Sequence, residues 1–188
     1  MLFNAPNLVT FSRIVLLPLI IGLYYLPDSW LSEPGRNAAA TLVFVLAAAT
    51  DWLDGYLARR LNQTSAFGAF LDPVADKLIV VGALIALLYL NRVDMLVALI
   101  IIGREIAISA LREWMAKLGQ SGSVTVAFVG KVKTASQMVA IPLLLYHDEL
   151  FGLISTLWLG TVLINIAAVL TVISMAHYLR RALPHAGG

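Results

Sequence analysis

The chain has 188 residues, of which 60% are hydrophobic and 13% charged, against roughly 45–50% apolar and about 25% charged in soluble domains. With a mean hydropathy of +0.87, this balance excludes an ordinary water-soluble globule and leaves room for six helices of the roughly 20 apolar residues that cross a bilayer. The absence of cysteine excludes disulfides, thiolate metal sites and thiol nucleophiles. A net charge of +2, with the basic residues scattered, offers nucleic acid no run to bind.

Apolar stretches broken by turn residues predict helices near Leu8–Leu26, Asn37–Leu61, Phe70–Leu90, Met95–Met115, Val124–Tyr146 and Gly152–Leu179. The first has neither a basic start nor a small-residue cleavage site, so it reads as a retained span and not a signal peptide. No repeat or low-complexity segment appears. If successive helices alternate direction, one set of loops holds Arg36 and Arg92 beside Asp28, Glu33, Asp94, Asp148 and Glu149. The opposite set, with the helix ends that feed it, holds Arg13, Arg59, Arg60, Lys117, Lys131, Lys133, Arg180 and Arg181, and the positive-inside rule makes that face cytoplasmic. Both termini then lie inside. The fold class expected is an all-α, six-helix membrane bundle, residues 1–188 forming one domain, with a polar, metal-binding cavity open to the cytoplasm.

Four acids stand at the ends of the second and third helices. Asp51 and Asp54 are three apart and Asp72 and Asp76 four apart, so each pair occupies one helical face. The polar turn at 62–66 folds the two helices back on each other and brings the pairs together. Carboxylates gathered at membrane depth repel and cost at least ~2.5–3.5 kcal/mol each. Hard divalent cations, which take oxygen ligands and share them with substrate phosphates, answer that repulsion. Helix-end solvation, structural ion pairs and an ion pathway are the competing readings. Pro73 either opens a helix capped by Asp72 or kinks one that begins earlier. Gly55 and Gly68 leave space beside the acids, for a ligand or for a packed helix. Arg59 suits a phosphate, whereas Arg60 snorkels to the interface.

The order Asp51, Asp54, Gly55, Ala58, Arg59, Gly68, Asp72, Asp76 spells D-x2-D-G-x2-A-R-x8-G-x3-D-x3-D. It resembles the signature of the CDP-alcohol phosphatidyltransferases, and the six-helix layout resembles that family's architecture. Asn4–Arg13, Gly103–Trp114 and Gly130–Thr134 resemble the branch whose acceptor is sn-glycerol 3-phosphate. The resemblance implies transfer of a phosphatidyl group from CDP-diacylglycerol to that acceptor, with release of CMP, in anionic phospholipid synthesis. It implies two divalent cations, Mg²⁺ or Mn²⁺, on Asp51, Asp54, Asp72 and Asp76, with Asp76 also the general base. It carries over Asn7, Thr10, Gly55, Arg59 and Ser65 as contacts of CDP-diacylglycerol. A homodimer in a bacterial cell membrane, with the site facing the cytoplasm, follows from the same likeness.

Asn7, Thr10 and Arg13 recur every three residues on an apolar helix, which turns them towards protein or substrate; a helix cap at Asn7 and a snorkelling Arg13 are the alternative. Arg104, Arg112, Lys131 and Lys133 are the candidates to hold the acceptor phosphate, since guanidinium forks and ammonium groups suit a phosphomonoester. Arg104 and Arg112 lie two turns apart, about 12 Å along the axis, so both need not meet one phosphate. Lys77 and Glu105 are read as tuning the buried charge, Glu113 and Lys117 as a structural pair, and the three histidines as peripheral. Rival functions are a sister enzyme with inositol phosphate, serine or phosphatidylglycerol as acceptor, a cation or proton transporter, and a structural membrane module. No inverted repeat or paired broken helices favour the transporter.

Overall fold

The computed structural model describes residues 5–61, 66–117, 128–150 and 152–182, and for 5–9, 51–61, 66, 67, 69, 112, 128, 129, 181 and 182 the backbone alone. Six helices appear in the expected order: α1 Ala5–Leu23, α2 Glu33–Leu61, α3 Ala66–Tyr89, α4 Met95–Lys117, α5 Phe128–Tyr146 and α6 Thr156–Ala182. Between α5 and α6 a two-residue hairpin, β1 Glu149–Leu150 with β2 Ile154–Ser155, replaces the start expected at Gly152. Gly152 itself takes a φ of 65° in that turn, a region open to glycine without steric cost.

The helix ends follow local chemistry. The Asp94 carboxylate accepts the Leu96 backbone N–H at 2.8 Å and starts α4, and the Ser155 hydroxyl accepts the Trp158 N–H at 3.3 Å at the start of α6. Asn91, at φ 55°, closes α3, and the Arg92 N–H returns to the Leu87 carbonyl at 2.9 Å. His147, at φ 53°, ends α5. The buried Arg92 side chain then donates to the α5 carbonyls of Leu145 at 2.8 Å and Leu144 at 3.4 Å, satisfying groups that a helix end leaves open. Arg92, read from sequence as a loop charge, is thus a fastener between α3 and α5.

Proline 73 lies inside α3, which begins seven residues earlier at Ala66. Asp72 is therefore a mid-helix side chain and not a cap. The core runs through the middle of the bundle, where Ile20, Phe44, Ala83, Leu84, Ile101, Ile141, Leu144 and Ile164 are closed to solvent. Close approach is built on small residues. A Cβ on Gly82 would fall 1.9 Å from Leu17 Cδ1, and one on Gly160 would fall 2.8 Å from Leu144 Cγ. Gly103, by contrast, has open space at its Cβ position.

Every helix also carries exposed apolar side chains: Leu19, Leu46, Ile85, Leu99, Val139 and Val172, in order from α1 to α6. By length and composition, one stretch among the described residues, Thr156–Arg180, is long and apolar enough to cross a membrane. The reason is visible in the neighbours: α3 carries Asp72, Asp76 and Lys77, and α4 carries Arg104, Glu105 and Arg112. The middles of α1 to α4, the first half of α5 and the later part of α6 line one cavity. The end of α3 and the starts of α4 and α6 line a groove elsewhere. Arg92, after α3, meets Glu33 at the start of α2 and the Leu145 carbonyl at the end of α5, so successive helices alternate direction.

Candidate functional site

Four elements, α1, α3, α4 and α5, bring charge to the cavity. On α1, Thr10 and Arg13 share a face and are both buried, Arg13 with 1% exposure. The Thr10 hydroxyl donates to Asp72 Oδ1 at 2.6 Å. The Arg13 guanidinium donates to Asp76 Oδ1 and also lies 3.9 Å from Asp72 Oδ1. The polar stripe on α1 thus faces α3, and the snorkelling alternative for Arg13 is overturned: a guanidinium enclosed by protein gains a carboxylate partner that it would lack at the lipid interface. The carboxylates of Asp72 and Asp76 are each 45% exposed, far more than the Arg13 they share.

A second charge cluster joins α4 to α5. The Glu105 carboxylate accepts from Lys133 Nζ at 2.5 Å and from Arg104 Nη1 at 3.0 Å. Lys133 is 2% exposed and Arg104 8%. One anion thus holds two cations side by side. The Arg104 guanidinium carbon also stands 5.9 Å from the centre of the Tyr178 ring on α6, within range of a cation–π attraction.

Both clusters open on a single cavity of about 430 Å³. Arg13, Asp76 and Lys77 line it from one side, and Arg104, Glu105, Lys133, Gln137 and Tyr178 from the other. Asp76 thus supplies a proton acceptor beside Arg13 on one side, and Arg104 and Lys133 supply positive charge on the other. That geometry suits a ligand with a hydroxyl at one end and a phosphate at the other.

Several residues expected at the site fall elsewhere. Lys131 is exposed and does not line the cavity, although it is two residues from Lys133. The i, i+2 offset on a helix points the two ammonium groups to different sides. Glu113 and Lys117 form the expected exposed pair at 2.9 Å. The side chains of Asn7, Asp51, Asp54, Arg59 and Arg112, Gly55, and the whole of Ser65, lie outside the described residues. Gln137 and Tyr178 were not singled out from sequence. A glutamine one turn beyond Lys133 in an apolar span is a legible signal in hindsight, whereas nothing local marks Tyr178.

Among the described residues no group of three or more histidine, aspartate or glutamate side chains gathers to hold a metal ion. What is described of the four acids is Asp72 and Asp76, with Thr10 beside them, an all-oxygen donor set of the kind that hard divalent cations take.

The chain belongs to the CDP-alcohol phosphatidyltransferase family, whose sequence profile matches residues 3–173. It is 47% identical over 184 residues to the CDP-diacylglycerol–glycerol-3-phosphate 3-phosphatidyltransferases of Escherichia coli (strain K12) and Shigella flexneri serotype 5b (strain 8401), alignments covering 97% of this chain and 96% of each relative. The signature over α2 and α3, and the cavity lining apart from Tyr178, thus fall within the matched span.

Proposed function

We infer that the protein is a CDP-diacylglycerol-dependent phosphatidyltransferase that uses sn-glycerol 3-phosphate as acceptor, releasing CMP and forming phosphatidylglycerophosphate. Near-full-length identity to enzymes named for that reaction supports the assignment. The observation that carries the acceptor choice is the cavity in which Asp76 of α3 opposes Arg104 of α4 and Lys133 of α5. A phosphate dianion answers those two cations more fully than serine, whose single carboxylate is offset by its own ammonium group.

In this reading Arg104 and Lys133 hold the acceptor phosphate, and Asp76 accepts the proton of the attacking primary hydroxyl. The hydroxyl oxygen bonds to the lipid-side phosphorus of the diphosphate, the bond from that phosphorus to the bridging oxygen breaks, and the electron pair leaves with CMP. No enzyme side chain becomes covalently attached. Thr10 fixes Asp72 by its hydrogen bond, and Arg13 orients Asp76. Two divalent cations, Mg²⁺ or Mn²⁺, held by Asp51, Asp54, Asp72 and Asp76, would offset the charge of the diphosphate and of departing CMP. Arg59, Gly55, Ser65, Asn7 and Thr10 are assigned to the CDP-diacylglycerol side, and Arg112 remains a second-tier candidate for the acceptor.

The whole chain is read as one membrane domain. Apolar side chains exposed on all six helices support a multi-pass arrangement, because such surface is stable against lipid and costly against water. The excess of lysine and arginine at the cavity end supports a cytoplasmic site with both termini inside a bacterial cell membrane. The homodimer rests on family likeness alone.

The deciding assay is CMP release by the purified protein in detergent, supplied with CDP-diacylglycerol and one of glycerol 3-phosphate, inositol phosphate or serine, with and without divalent metal. Metal-dependent release with glycerol 3-phosphate alone is expected. Release with another acceptor instead would overturn the acceptor assignment while leaving the family chemistry in place.

A further inference from the structure

Gln137 is a polar group of the cavity that the charge chemistry does not use, and unlike the Thr134 hydroxyl, which bonds to the Gly130 carbonyl, its amide oxygen has no partner among the described residues. It follows Lys133 by four residues on α5, so both occupy one helical face, about 6 Å apart along the axis. Its side chain lines the cavity and is 3% exposed. Its amide oxygen is buried and receives no hydrogen bond among the described residues. A buried carbonyl oxygen left without a donor is costly, so such a group marks a place where a donor arrives with a ligand.

The ligand's geometry selects the donor. With the phosphate on Arg104 and Lys133, the attacking primary hydroxyl of the acceptor must reach Asp76 across the cavity. The secondary hydroxyl between them is then the one remaining donor, and Gln137 stands on the phosphate-side wall one turn beyond Lys133. We propose that Gln137 determines acceptor specificity: its amide oxygen accepts a hydrogen bond from the secondary hydroxyl of a three-carbon polyol phosphate. This rests on the acceptor reading of the cavity. It adds a reason for the enzyme to prefer a polyol phosphate over an equally charged, equally long phosphate that lacks the middle hydroxyl. A site built to pair a hydroxyl rejects the analogue without one more strongly than an apolar site rejects an added group.

The test compares glycerol 3-phosphate with 3-hydroxypropyl phosphate, its analogue without the secondary hydroxyl, in CMP release by the full-length protein and by Gln137→Met, which keeps the volume and removes the acceptor. The wild type is expected to prefer glycerol 3-phosphate by about tenfold or more in kcat/KM. Gln137→Met is expected to lose about tenfold on glycerol 3-phosphate and to change less than about twofold on the analogue, so that the two substrates converge. The ratio of the two kcat/KM values on one preparation does not depend on how much protein is folded, so partial misfolding cannot imitate convergence. Gln137→Glu, which keeps an accepting oxygen, is expected to retain the preference while raising KM for both phosphates. Equal losses on both substrates, or a wild type indifferent between them, would sink the proposal. A wild type that releases no CMP with either phosphate but does so with an uncharged alcohol would instead remove the acceptor reading beneath it.

Discussion

The Arg13 guanidinium on α1 donates to the Asp76 carboxylate on α3, across 63 positions of sequence, from a site where the arginine is 1% exposed and the aspartate 45%. The asymmetry matters. Arg13 has given up its water and depends on Asp72 and Asp76 for compensation, whereas the acids keep one face for other partners. Replacing Arg13 with Gln leaves two neighbouring carboxylates without their buried counter-charge. The expected result is a lower midpoint of thermal unfolding in detergent, with added Mg²⁺ or Mn²⁺ recovering more of it in the variant than in the wild type. An unchanged midpoint would show that α1 and α3 do not rely on this pair.

Asp76→Asn removes the proton acceptor and keeps the shape. CMP release should fall by roughly 10²–10⁴-fold, the usual share of a positioned general base. Binding of CDP-diacylglycerol, followed by its protection against thermal unfolding, should persist. Activity within a few fold of wild type would take the base role away from this residue.

The two lysines at the start of α5 offer a paired comparison. Lys133 is buried beside Glu105 in the cavity and Lys131 is exposed outside it. Losing a charge-assisted hydrogen bond costs about 1.5–3 kcal/mol, so Lys133→Met should raise KM for glycerol 3-phosphate by roughly 10–100-fold. Lys131→Met should stay within about twofold, as exposed charges do. Steady-state kinetics on the two variants decides it; an effect that follows Lys131 would move the acceptor site.

Helix packing predicts a purely structural phenotype at Gly160. A Cβ there meets Leu144 Cγ at 2.8 Å and the Ala140 carbonyl oxygen at 3.2 Å, and a backbone oxygen cannot swing aside as a side chain can. Gly160→Val should destabilise the α5–α6 contact by about 1–3 kcal/mol. The readout is the unfolding midpoint, with KM for both substrates unchanged in the folded fraction.

At the opposite end of the bundle, burial and then the Arg92 cation hold His147 below its ordinary value of 6.5, against the smaller opposing pull of Glu33 and Asp148. The folded protein therefore takes up this proton later than the unfolded chain as pH falls. Stability is intact above pH 6.5, begins to drop as the unfolded chain protonates near that value, and stops dropping below the lowered folded value. His147→Asn, which tolerates the positive φ of 53°, should flatten that part of the stability profile. A profile unchanged by the substitution would assign the acid sensitivity elsewhere.

How far residue order alone reaches is clear from particular cases. Composition and apolar runs led to six helices within a few residues of their observed ends, because a helix depends on contacts no more than four residues apart. The acid signature and its spacing led to the family before any geometry, since helical periodicity places Asp72 beside Asp76 wherever the helix goes. Local rules failed where the partner was remote. Pro73 lies mid-helix because α3 starts at Ala66, a boundary its own neighbours leave open. Arg13 and Arg92 read equally well as surface charges, and only the packing of α1 on α3, and of the α3–α4 turn on α5, buries them. The same holds for the choice of Lys133 over Lys131, for the sharing of Glu105 between two cations, and for Gln137. A charge or an amide has many possible partners in sequence, and its role is decided by which helix comes to lie across from it and whether water is left between them.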